Sequence, residues 1–99
     1  MATGELQTLI DASNATGDAI NWDGGSGIFQ VSGDNFGGAT VALQGKISNS
    51  ATFAWFGIAN CSFTGNNASS FSWPAKGILR ASVASANGNT EITAAIRTS

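Results

Sequence analysis

Short segments in which apolar and polar residues alternate, separated by glycine-rich turns, dominate this sequence. Residues 39–44 are the clearest example, with Ala39, Val41 and Leu43 on one side of the chain. A period of two is typical of strands that bury one face, and 13 glycines supply conformational freedom for the turns between them. No segment shows a sustained helical stripe. The pattern therefore predicts an all-β fold, an antiparallel β-sandwich that is jelly-roll-like and has seven to eight short strands.

Turn-forming residues predict where the chain reverses. Residues 11–18 are polar and contain a glycine, so we expect a loop there. Residues 33–35 read Gly-Asp-Asn and predict a turn. Residues 78–84 and 90–97 form a late pair of predicted strands, and the Asn-Gly pair at 87–88 lies between them. Asn-Gly between two alternating segments predicts a β-hairpin.

The length of 99 residues predicts a single domain, residues 1–99, with one modest core. The hydrophobic fraction of 42% excludes a disordered chain. We expect most of the aromatic residues to lie in the core, and these are Trp22, Phe36, Phe63, Phe71 and Trp73.

Charge is scarce in this chain. Charged residues make up 10% of the sequence, against about 25% in ordinary soluble proteins. The net charge is −2 and Lys and Arg together number only 4, which argues against binding to nucleic acid or to an anionic membrane. No leader-like segment or long apolar run is visible at the sequence level, so we expect synthesis in a cytoplasm. A subunit that is covered by partners in an assembly would also need few charges.

The residue types that most enzymes use are missing or isolated. The chain has no histidine, and Cys61 is its single cysteine, which we expect to be a small buried hydrophobe. Most of the acidic residues lie beside Gly, Ser or Asn, where Asp stabilises turns. We therefore expect no enzymatic activity, no cofactor and no metal. Two alternatives stay open at this point, a weak Ca²⁺ site in the loop at 11–18 and a sugar site on the aromatic residues.

The most apolar segment is residues 52–59. In a strand, Phe53 and Trp55 would point to one face, and Phe56 and Ile58 to the other. A two-layer sandwich buries only one face of each sheet, so the outer set would meet another chain or a covering loop. The alternative is a bulge that turns one aromatic inward. On the first interpretation, Trp55, Phe56 and Ile58 are the candidate interface residues.

Three stretches of the chain resemble a known class of proteins. Residues 22–33 read WDGGSGIFQVSG, residues 36–44 read FGGATVALQ, and residues 73–81 read WPAKGILRA. Their order is similar to that in small virion proteins of tailed bacteriophages, especially short-tailed phages, over residues 20–97. Residues 73–77 depart from the pattern, because related chains have a shorter apolar-Pro-Ala-Gly turn there.

The resemblance implies a β-sandwich subunit of the phage particle and no catalytic residues. The expected function is that of a capsid decoration (cement) protein, commonly a trimer, which stabilises the head shell by contacts with the major capsid protein or other virion proteins. The expected location is the virion, after synthesis in the host cytoplasm. The alternative is a tail or fibre-associated module that binds carbohydrate on the host surface.

Overall fold

The structure, a computed structural model, describes residues 6–48, 50, 52–74 and 76–98. These residues form eight strands and no helix, which confirms the predicted all-β class. The strands are β1 (Leu6–Ser13), β2 (Ile20–Trp22), β3 (Ser26–Asn35), β4 (Thr40–Lys46), β5 (Phe56–Phe63), β6 (Asn67–Ser72), β7 (Gly77–Ala84) and β8 (Glu91–Thr98).

Two four-stranded antiparallel sheets pack face to face. Sheet A has the strand order β1-β8-β3-β6, and sheet B has the order β2-β7-β4-β5. Consecutive strands alternate between the sheets, except for β4 and β5, which pair directly. This connectivity is that of an eight-stranded jelly roll, so the predicted sandwich architecture is confirmed. The edge strands are β1 and β6 in sheet A, and β2 and β5 in sheet B.

The core forms from the alternating residues that the sequence pattern placed on one face. Phe29 and Val31 of β3 are fully buried, as are Val41 and Leu43 of β4. The rings of Phe29 and Phe63 stack across the two sheets with their centroids 5.8 Å apart. The aromatic residues expected in the core are buried or packed against it, and these are Trp22, Phe36, Phe63, Phe71 and Trp73.

Two predicted reversals are partly or wholly wrong. Strand β1 continues through Asp11, Ala12 and Ser13, so the loop at 11–18 begins only after Ser13. Residues 33–35 belong to β3 rather than to a turn. A side chain at Gly33 would meet the main-chain oxygen of Glu91 at 2.6 Å, so the glycine permits the close approach of β8. The register shifts between Gly33 and Asn35, which shows that these turn-forming residues make a bulge instead.

The predicted hairpin around Asn87 and Gly88 is also wrong. Strand β7 pairs with β2 and β4, whereas β8 pairs with β1 and β3, so residues 85–90 cross between the sheets. A tight Asn-Gly hairpin turn requires positive φ at both central residues, and neither Asn87 nor Gly88 has it. The Asn87 side chain instead donates a hydrogen bond from Nδ2 to the main-chain oxygen of Gly37 (3.2 Å). This bond holds residues 85–90 against a neighbouring turn.

Candidate functional site

Part of the connection between β4 and β5, including Ser50 and Phe53, lies over the outer face of sheet B. Inward positions of β4 and β7 alternate with outward ones, and Lys46 and Arg80 are outward. Lys46 is nevertheless only 8% exposed. Its Nζ donates to the main-chain oxygens of Ser50 (3.2 Å) and Phe53 (3.3 Å). A buried ammonium is tolerated where such acceptors surround it, so Lys46 fastens the segment to the sheet.

Trp55 lies at the end of this segment against two cationic side chains. The Lys46 Nζ is 4.9 Å from the centroid of the Trp55 ring, and the Arg80 Cζ is 4.3 Å from it. Arg80 is oriented by a hydrogen bond from its Nε to Oε1 of Gln44 (2.9 Å). Cations over an indole face are attracted by the negative charge of the ring face. Trp55 is thus held on the outside of sheet B by its own chain.

Three large apolar side chains are exposed where the β4–β5 connection leaves and rejoins the sheet. They are Ile47 (56% exposed), Phe53 (44%) and Phe56 (66%). Ile47 directly follows β4, and Phe56 opens β5 opposite Gly45. We call these three residues the apolar tip. Exposed apolar side chains that are grouped in this way commonly mark a surface that contacts another molecule.

The three candidate interface residues do not share one environment. Phe56 belongs to the apolar tip, Trp55 is half-buried beneath the cations, and Ile58 packs against the core. The interpretation of residues 52–59 as one strand is wrong, because β5 starts at Phe56. Of the two structural alternatives for this region, a covering segment occurs, because Ser50 and Phe53 lie against Lys46. The register shift of β5 lies between Gly57 and Ser62 and contains no aromatic residue, so it is not the bulge that would turn an aromatic inward.

Ile58 packs against the core, although it is only two positions from the exposed Phe56. Phe56 pairs with Gly45, an inward position of β4, so Phe56 and Ile58 share the inward face of β5. Phe56 opens the strand and is exposed there. Between the pairs Ala42↔Ser62 and Gln44↔Gly57 the strand contains extra residues, and Asn60 has φ 65°, which is a bulge beyond Ile58.

Four acidic residues line two shallow grooves. Asp11 and Asp18 border one of about 340 Å³, and Asp34 and Glu91 border another of about 220 Å³. Within the described ranges, no group of three or more His, Cys, Asp or Glu side chains could hold a metal ion. The Ca²⁺ alternative at 11–18 therefore gains no support from the structure.

A third groove combines residue types that often occur in sugar sites. It has a volume of about 520 Å³ and is lined by Asn21, Trp22 and Asp23 among others. Trp22 is only 1% exposed, however, and its ring belongs to the core. Stacking on a sugar needs an open ring face, so this groove does not provide an aromatic platform.

Cys61 lies in the core with no exposed surface and forms no disulfide. Its burial raises the pKa of the thiol above the ordinary value. Because the thiolate is the reactive form, this environment suits a packing residue rather than a nucleophile. The expectation that Cys61 is a small buried hydrophobe is confirmed.

Sequence reasoning missed the contribution of Lys46, Arg80 and Ile47 to this region. The outward position of Lys46 on β4 was readable from the alternation. Its burial was not readable, because the acceptors are main-chain oxygens of a segment whose path depends on the whole fold.

Comparison with protein-family models, curated proteins and solved structures found no match for the chain. The resemblance to phage virion proteins therefore stays a prediction. In the part of the chain that the structure describes, no helix is both long and apolar enough to cross a membrane.

Proposed function

We propose that the protein is a bacteriophage virion structural protein, a capsid decoration (cement) subunit that binds the head shell through its apolar tip. The observation that carries the proposal is the exposure of Ile47, Phe53 and Phe56, which lie in and directly beside the β4–β5 connection. A shell protein is held by contacts and needs no catalytic group. The jelly-roll fold is common in viral capsid and lectin domains, which is compatible with the proposal but does not carry it.

The partner on the particle is the major capsid protein or another virion protein. On the shell the subunits form a homo-oligomer, and the resemblance implies a trimer. The scarcity of charge agrees with a surface that is covered in the assembled particle, because covered surfaces are depleted in charged residues. The proposal assigns the protein no enzymatic activity and no binding of nucleic acid or membrane.

The test is binding of the recombinant protein to purified heads of the source phage that lack it, followed by sedimentation. Burial of one aromatic side chain contributes about 1.5–3 kcal/mol, so Phe56→Asp should weaken binding by roughly tenfold or more. Leu6→Asp is the matched control, because Leu6 is 55% exposed but lies on β1 in the other sheet. This variant should bind like the unmodified protein.

Immunogold microscopy of complete particles distinguishes the alternatives. Gold distributed over the head supports the proposal. Gold restricted to the tail, together with binding of the protein to host-surface glycans, would instead establish the carbohydrate-binding alternative. Particles without the protein would overturn both.

A further inference from the structure

Strand β6 is an unprotected edge of the sandwich. The other three edge strands are irregular or short. The pairing of β1 with β8 has two register shifts, and Ala12 of β1 has φ 47°. Strand β5 contains the bulge at Asn60, and β2 is only three residues long. Strand β6 pairs with β3 in unbroken register from Asn67 to Ser72. It contains no charged residue, no proline and no bulge. Natural edge strands usually carry one of these features, because they prevent pairing with another chain.

The main-chain groups that β6 leaves open can be identified from the bonds beside them. Trp73 and Gly25 exchange both main-chain hydrogen bonds, at 2.9 and 3.1 Å. In an antiparallel pair every second residue is bonded in this way, so the odd-numbered residues of β6 face β3. The three even-numbered residues, Ala68, Ser70 and Ser72, therefore direct their N–H and C=O groups away from the sheet.

Among the described residues, short local bonds occupy this open edge. The Asn67 Oδ1 accepts from the Ala68 N–H at 2.8 Å, and the Ser69 hydroxyl donates to the Ser70 oxygen at 3.1 Å. In the described part of the chain, no strand pairs with β6 on this side. Both side-chain bonds are exposed and can exchange for bonds to a neighbouring strand.

We propose that β6 pairs with β6 of a second copy of this chain, antiparallel across a two-fold axis at Ser70. In this register Ala68 lies opposite Ser72 of the other copy and Ser70 lies opposite itself, so every open donor meets an acceptor. A two-fold contact places a surface against itself, and therefore any charge on it would face its own copy. Strand β6 has no charge, whereas β1 carries the exposed Asp11. The side chains that meet on the outer face are small and exposed, and they are Ala68, Ser70 and Ser72.

This contact does not depend on the proposed function. In a two-fold contact, β6 of one copy meets β6 of the other, so both copies contribute the same surface. A trimer on the shell needs two different surfaces on each subunit. The apolar tip belongs to the β4–β5 connection in sheet B, so shell binding and β6 pairing can fail separately.

The test is sedimentation of the free protein over a wide concentration range. The unmodified chain should reversibly form dimers. Ser70→Lys should weaken dimerisation by roughly tenfold or more, because two lysines would meet at the axis. Ser70→Pro should do the same, because it removes an outward N–H while the bonds to β3 stay intact. The matched control is Ser62→Lys on β5, an edge strand of sheet B. This variant should dimerise normally with an unchanged circular dichroism spectrum.

Cross-linking tests the register. Cα atoms in a hydrogen-bonded antiparallel pair are about 5.5 Å apart, within the range that a disulfide spans. Ser70→Cys should therefore give a disulfide-linked dimer under oxidising conditions. Ala68→Cys should not, because its copies would be separated by roughly 13 Å. A free protein that is a monomer or a trimer, or equal cross-linking of the two variants, would overturn the proposal.

Discussion

The indole nitrogen of Trp22 donates a hydrogen bond to the main-chain oxygen of Trp73 over 2.7 Å. This bond connects β2 in sheet B with the residue that follows β6 in sheet A. Trp22 is almost fully buried, and its ring lies 5.4 Å from that of Phe71. The indole nitrogen of Trp73 is also buried, but it has no partner in the described part of the chain.

The two tryptophans should therefore respond differently to the same substitution. Trp22→Phe removes a buried hydrogen bond and leaves a cavity, so we expect it to destabilise the fold by roughly 1–3 kcal/mol. Trp73→Phe removes an N–H that was buried without a partner, and its cost should be smaller. Urea denaturation of both variants measures the difference. An equal or larger loss for Trp73→Phe would show that the Trp22 bond contributes little.

Lys46 should control the mobility of the segment over sheet B. Lys46→Met keeps most of the side-chain stem but removes the donor to Ser50 and Phe53. We expect the free energy of unfolding to change by only about 1 kcal/mol, because loss of the bonds is offset by removal of a buried charge. Local opening should become easier, so chymotrypsin should cleave after Phe53 or Trp55 faster.

The control for Lys46 is Lys76→Met. Lys76 is exposed, and substitution of an exposed lysine should change stability by less than about 0.5 kcal/mol. Its cleavage rate should match that of the unmodified protein. Equal cleavage of the Lys46→Met variant would mean that the cation does not hold the segment.

The position of Trp55 changes what Trp55→Asp should do. If residues 52–59 were one strand with Trp55 inward, the substitution would unfold the domain. In the structure Trp55 lies outside β5, next to Lys46 and Arg80. An aspartate there would face two cations, so we expect a folded variant. A native circular dichroism spectrum with a cooperative thermal transition would confirm this, and a disordered spectrum would contradict it.

Cys61 should make stability fall at high pH. Its pKa is raised by burial, so the folded state keeps a proton that the unfolded state releases above the ordinary pKa of 9.0. The contribution of the protonated Cys61 thiol to the free energy of unfolding is therefore fully present below that pH. It is lost as pH rises toward the pKa of the folded state, by at most about 1.4 kcal/mol per pH unit. Cys61→Ala removes this contribution. Between pH 8 and 10, its unfolding free energy should decline less steeply than that of the unmodified protein. Parallel declines would refute the assignment.

Local sequence patterns correctly predicted the strands that pair with their neighbours in regular register. The alternation at Phe29 and Val31 identified buried positions correctly, because a strand in a sandwich buries every second residue. The sequence pattern gave wrong predictions where contacts between residues distant in the sequence determine the path of the chain. Asn87-Gly88 favours a hairpin locally, but the bond from Asn87 to Gly37 belongs to a crossing between sheets. The apolar tip was only partly predictable, because the exposure of Phe53 and Ile47 depends on the path of the connection between β4 and β5.

Gly37 and Gly88 provide the sharpest test of that crossing. Gly37 has φ 58°, and a Cβ there would lie 2.5 Å from Asn87 Nδ2 and 2.5 Å from Thr90 Oγ1. Gly37→Ala therefore combines backbone strain with a clash, and it would displace the side chains that fasten residues 85–90. We expect a loss of roughly 1–3 kcal/mol. Gly88 lies in the same connection with nothing within 4 Å of a Cβ and without positive φ. Gly88→Ala should be neutral or stabilise the fold by up to about 1 kcal/mol, because it restricts the unfolded chain. If residues 87–88 instead formed a tight hairpin turn, Gly88→Ala would be the more damaging variant, and thermal denaturation of the two proteins side by side distinguishes the two arrangements.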